Sequence, residues 1–215
     1  MLDKYITPII KPLLTPVVIL LHKRAITADQ LTVVGFLIGL LSLPLLAFGY
    51  WYAALVTIVL NRIFDGLDGA LARYSKQSSS AGGYLDITLD FLFYAAVPFG
   101  FILANPEQNA IAGALLLATF MGTGSSFLAF AIAAERFKID RPQFKYKSFY
   151  YLNGLTEGTE TIALFIAFCI WPQNFVLLAT LFAIACAITI FTRIYGGYHT
   201  LKQQEAKANG ALNDA

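Results

Sequence analysis

The chain has 215 residues, 58% of them hydrophobic and 13% charged, with a mean hydropathy of +0.66. Soluble domains carry roughly 25% charged and about 45–50% apolar residues. This composition therefore excludes a disordered chain, a basic nucleic-acid-binding domain and an ordinary soluble enzyme. The formal net charge of +2 is small, so where the charges fall matters more than their sum.

Residues 1–25 read as an amphipathic segment lying in a membrane interface. Ile6, Ile9, Ile10, Leu13, Leu14, Val17, Val18 and Leu21 recur at helical spacing, with Lys4, Lys11, Lys23 and Arg24 between or after them. Pro8, Pro12 and Pro16 argue against a simple first span. Asp3 and the early prolines also differ from the basic start of a cleaved signal peptide. Residues 26–203 hold six apolar stretches, near 30–49, 51–72, 83–104, 110–134, 156–171 and 174–199. A bilayer crossing takes about 20 apolar residues. The expected fold is an all-α integral membrane protein, six transmembrane helices behind an interfacial helix. Residues 204–215 form a polar tail expected to fray.

Several residues read as structural. Cys169 and Cys186 sit in apolar runs, as small core hydrophobes. Tyr50, Trp51, Tyr52 and Trp171 fall at membrane edges, as interface anchors. Gly122, Gly124, Ser125 and Ser126 suit close helix packing.

The basic residues alternate. Lys4, Lys11, Lys23 and Arg24 lie in the lead-in, and Arg73 and Lys76 in the second loop. Arg136, Lys138, Arg141, Lys145 and Lys147 lie in the fourth loop, and Arg193, Lys202 and Lys207 at the end. The first, third and fifth loops hold none. Only Arg62 falls inside a stretch away from these groups. The positive-inside tendency then expects six spans with both termini in the cytoplasm.

Acidic residues inside apolar spans are costly and mark function by default. Asp65 and Asp68 end the second stretch; Asp86 and Asp90 open the third. Spacings of three and four put each pair on one helix face. The loop between them is short, so four carboxylates converge at the cytoplasmic mouth. Two divalent cations balance four negative charges, and an all-oxygen donor set favours Mg²⁺ or Mn²⁺. Gly66, Gly69, Gly82 and Gly83 leave space for a ligand or another backbone. Arg73 adds a fixed cation suited to phosphate.

The run from Asp65 to Arg73, eight further residues, then Gly82 to Asp90 resembles the signature of the CDP-alcohol phosphotransferases. That signature is D-x-x-D-G-x-x-A-R, a short gap, then G-x-x-x-D-x-x-x-D, and every fixed position is matched. The resemblance implies six helices after an interfacial helix, paired as a homodimer in a bacterial inner membrane, with the active site facing the cytoplasm. It implies that Asp65, Asp68 and Asp86 ligate two divalent ions, that Asp90 completes the second site, and that Asp90 is also the general base. It implies that Gly69, Ala72 and Gly82 make room for the cytidine nucleotide, with Arg73 near its phosphates and Asp65 and Asp68 beside it. The implied reaction joins CDP-diacylglycerol and an alcohol, giving a phosphatidyl-alcohol and CMP. Asp29 stands where many family members have Pro-Asn, which leaves a nucleotide contact there open.

For the acceptor, Arg193 near the end of the last stretch is the first candidate, with help from Arg136, Lys138 and Arg141. Glu157 and Glu160 share a face at the start of the fifth stretch. They either shape the acceptor pocket or pair with Arg193 or Arg62. A fixed cation favours glycerol-3-phosphate, with serine and inositol phosphate as alternatives. Two rival classes are a prenyl transferase and an intramembrane-carboxylate ion or proton carrier. The first is disfavoured because both aspartate pairs fall within 26 residues. The second expects acids spread through the membrane depth.

Overall fold

Short capping signals set the helix boundaries. The structure is a computed structural model that describes residues 14–137 and 155–213. The expectations for residues 1–13, Lys138, Arg141, Lys145 and Lys147 lie outside the described residues, as does the Arg136 side chain. The regular structure described is helical throughout. Helix α1 covers Leu14–Lys23. Helix α2 (Ala28–Leu40) opens on a capping box, Gln30 N donating to Thr27 Oγ1 at 3.3 Å and Thr27 N to Gln30 Oε1 at 3.0 Å. It breaks at Leu41 and resumes as α3 (Ser42–Ala47). Pro44 lacks the N–H that would bond the Leu40 carbonyl, which accounts for the break. Gly49, at φ +77°, turns the chain into α4 (Trp51–Ser75), a conformation that disfavours side chains.

The Ser79 hydroxyl accepts from Gly82 N at 2.9 Å and starts α5 (Ser80–Ala104). Asn105 caps α6 (Pro106–Arg136), whose first residue is proline. Helix α7 (Gly158–Ile170) and a short 3-10 turn at Pro172–Asn174 lead into α8 (Phe175–Asn213). Helix α8 thus runs on through the polar residues after Lys202 to Asn213.

Helix α2 packs on α4 and α5, α3 on α5, α6 along α8, and α7 on α4. The core is aromatic. Trp51 stacks on Phe101 at 5.1 Å, and Phe101 stacks on Phe175 at 4.7 Å. Phe93, Phe165 and Phe168 fill the space beneath, all fully buried. Trp51 is thus a packing residue as well as a residue of the helix end, while Tyr50, Tyr52 and Trp171 are exposed. Gly122 lies against Ile190 and Gly124 against Phe91, as the small-residue reading expects. Both cysteines are buried and free. On the other side, Val18 of α1 is buried against Leu31, Leu67 and Leu71. Helix α1 therefore rests on the charged end of α4.

Among the described residues, four stretches are long and apolar enough to cross a membrane: Ala28–Ala47, Ser80–Ala104, Pro106–Glu135 and Pro172–Lys207. The sequence reading expects six. Helix α4 has the length, at 25 residues, but Arg62, Asp65, Asp68 and Arg73 interrupt its apolar character. Helix α7 has 13 residues. At about 1.5 Å per residue it spans about 20 Å, short of the roughly 30 Å hydrocarbon core.

Candidate active site

Two helices and one antiparallel turn build the acidic site. Asp65 and Asp68 lie one turn apart on α4, and Asp86 and Asp90 one turn apart on α5. The folded chain brings carboxylate oxygens of Asp65, Asp68 and Asp86 within 4.8 Å of one another. A small cavity runs among them, lined also by Thr32, Asn61, Arg62 and Asp90. Asp68 is buried, and its Oδ2 accepts from Thr32 Oγ1 at 2.6 Å. Thus α2 supplies a third wall.

Asp90 is held differently. Its Oδ1 lies 2.6 Å from Arg62 Nη2, while Arg62 Nη1 lies 3.4 Å from Asp65 Oδ2. Two of the four carboxylates, Asp90 closely and Asp65 at longer range, therefore already face one protein cation. The sequence-level balance of two divalent ions against four carboxylates omits this charge. Arg62 in turn donates from Nε to Asn61 Oδ1 at 2.9 Å and from Nη1 to the Tyr94 hydroxyl at 3.3 Å.

The glycines divide by environment. A Cβ on Gly82 would stand 2.9 Å from Asp29 Oδ1, whereas one on Gly83 meets nothing within 4 Å. A Cβ on Gly69 would lie 3.2 Å from Arg73 Nη1, so the guanidinium folds back over this glycine. Ala72 is half-buried beside Arg73 on the last turn of α4.

A second polar cluster lies where α6, α7 and α8 meet. Arg193 Nη1 donates to the Thr123 carbonyl at 3.0 Å, and its guanidinium faces the Phe127 ring. Thr189, one turn earlier on α8, accepts from Leu155 N at 3.0 Å and from the Thr156 hydroxyl at 3.2 Å. These bonds place the start of α7 against α8. Glu160 accepts from Glu157 N at 3.2 Å in a capping box, so both glutamates help to start α7. Glu157 also acts electrostatically on Arg193. Arg62, the other arginine considered for the glutamates, is committed to the aspartates.

Sequence reasoning missed Thr32 and the role of Arg62. Arg62 carried a usable signal, a cation within a span one turn from Asp65. Thr32 carried none, being 36 residues from Asp68.

The helical fold and the acidic site on α4 and α5 define a membrane-embedded transferase, and the chain belongs to the CDP-alcohol phosphatidyltransferase family, whose model matches residues 25–193. It is 60% identical over 202 residues to the inner membrane protein YnjF of Escherichia coli, covering 94% of this chain and 98% of that one. It is 34% identical over 122 residues to an archaetidylinositol phosphate synthase of Pyrococcus horikoshii, covering 53% of this chain and 65% of that one. Its fold resembles the Mycobacterium tuberculosis phosphatidylinositol phosphate synthase with CDP-DAG bound. That match has a TM-score of 0.64 and 21% identity, covering 86% of this chain and 93% of that one. A crystal structure of the same synthase with manganese and citrate matches with a TM-score of 0.64 and 21% identity, covering 86% of this chain and 88% of that one. The chain is an integral membrane protein of a phospholipid-synthesis family.

Proposed function

We propose that this protein transfers a phosphatidyl group from CDP-diacylglycerol to a small phosphorylated alcohol, releasing CMP. The carrying observation is the convergence of Asp65, Asp68 and Asp86 from two helices onto one small cavity. Opposite ligands around Mg²⁺ or Mn²⁺ stand about 4.2 Å apart, twice a metal–oxygen distance of about 2.1 Å. Three hard oxygens within 4.8 Å of one another fit such an ion with small side-chain adjustments. Asp65, Asp68 and Asp86 would hold the ions, and Asp90 would complete a second site. Bound there, two divalent ions would neutralise the pyrophosphate and stabilise CMP as it leaves.

The chain's own residues do the rest. Gly69, Ala72 and Gly82 leave room for the nucleotide, and Arg73 faces its phosphates. Asp90 takes the proton of the acceptor hydroxyl. The acceptor oxygen bonds the phosphorus that carries diacylglycerol, and the bond from that phosphorus to the CMP oxygen breaks. Arg193 binds the acceptor's phosphate, with Arg136 at the end of α6 as a further cation. Glu157 and Glu160 shape the same pocket. Glycerol-3-phosphate is the first acceptor on charge and size. Inositol phosphate is the second reading, favoured by the similar proteins named archaetidylinositol phosphate synthase and phosphatidylinositol phosphate synthase. Serine, without a phosphate, fits Arg193 less well.

In this reading the protein crosses the membrane six times, works as a homodimer and opens its site to the cytoplasm. Purified protein with CDP-diacylglycerol and each acceptor in turn should release CMP with Mg²⁺ or Mn²⁺ and stop when the ions are chelated. Asp90→Asn should still bind the nucleotide and release no CMP. Turnover that survives chelation refutes the reading.

A further inference from the structure

We propose that Arg62 is a built-in cation that competes with the second divalent ion for Asp90, so that the site fills unevenly. This rests on the reading of the aspartates as metal ligands and specifies how they load. Arg62 Nη2 occupies Asp90 Oδ1 at 2.6 Å, and its Nη1 reaches Asp65 Oδ2 at 3.4 Å. A cation that binds Asp90 must displace this contact.

The guanidinium is fixed from behind as well. Asn61 Oδ1 holds Nε, and the Tyr94 hydroxyl accepts from Nη1. The rings of Phe93 and Tyr94 lie 5.3 and 5.5 Å from its central carbon. Asn61 is itself buried and donates from Nδ2 to the Gly35 carbonyl at 3.0 Å. The brace therefore runs from the α2 backbone through α4 to α5. An arginine stays charged throughout the physiological range, so it cannot yield by losing its proton. Asp68 and Asp86 make no ion pair with it among the described residues. They offer their oxygens, with Asp65, to a first ion. The second ion meets a ligand already in use and a fixed positive charge beside it.

The test is a Mn²⁺ titration of the purified protein in detergent, with free Mn²⁺ read by electron paramagnetic resonance. The wild type should bind one ion tightly and a second at least about tenfold more weakly. Arg62→Gln should tighten the second ion by about tenfold while leaving the first in place. Arg62→Lys, which keeps the charge, should leave the second ion weak. Tyr94→Phe removes one of the contacts that fix the guanidinium and should tighten the second ion by about threefold, a milder change should Arg62→Gln fail to fold. Two equal sites in the wild type overturn the proposal. So does a second ion whose affinity Arg62→Gln and Tyr94→Phe leave unchanged. A wild type that binds no Mn²⁺ overturns the metal reading itself, which is a separate result.

Discussion

In the proposed reaction, acceptor choice turns on Arg193. Its Nη1 is held by the Thr123 carbonyl, and its plane faces Phe127, so the guanidinium is oriented before any substrate arrives. A preset planar cation loses little freedom on taking a phosphate. Arg193→Ala should raise KM for a phosphorylated acceptor about tenfold or more, while KM for CDP-diacylglycerol moves less than about twofold. Steady-state kinetics with each substrate varied separately reads this split. An unchanged acceptor KM would assign the phosphate to another cation. The aspartates were legible from sequence because their i,i+3 and i,i+4 spacing fixes which face they share. The grip of Arg62 on Asp90 was not, since it joins residues 28 positions apart on separate helices.

At the scale of elements, the site depends on how closely α2 approaches α4. Gly35 and Gly39, one turn apart, make that approach possible. A Cβ on Gly35 would stand 2.6 Å from Phe64 Cβ, and one on Gly39 2.8 Å from Asn61 Nδ2. Asn61 reaches the Gly35 carbonyl only because this seam is bare. Gly39→Val should push the helices apart and disturb the brace behind Arg62. The expected loss is about 1–3 kcal/mol, the range for overpacking a close-fitting contact. Gly83→Ala adds its methyl to open space and should melt at or above the wild-type temperature. Thermal melts in detergent compare the two, and equal melting would count against the seam. The sequence singles out Gly66, Gly69, Gly82 and Gly83 as a group for their place near the aspartates. The signature selects Gly82 over Gly83, but nothing in the spacing says that Gly82 is packed and Gly83 open, because that difference comes from Asp29 on another helix.

For the whole molecule, charge and hydropathy give different counts of crossings. Hydropathy finds four long apolar stretches and passes over α4 and α7. Both omissions have a cause in the site. On α4, Asp68 is buried and Arg62 is ion-paired with Asp90, so these two charges face protein rather than lipid. The start of α7 is tied to Thr189 in mid-α8, so this short helix begins within the bundle rather than outside it. In the proposed six-crossing topology both helices count as crossings, and the C-terminus returns to the side of the N-terminus. The turns at Gly49–Tyr50, Asn105 and Pro172–Asn174 carry no lysine or arginine, as expected of the outer side. A phosphatase reporter active only outside the cytoplasm should be silent when fused after Asn213 and active when fused after Asn105. Activity at both fusions would mean an odd number of crossings and remove α4 or α7 from the membrane, whereas activity at Asn213 with silence at Asn105 would invert the proposed orientation.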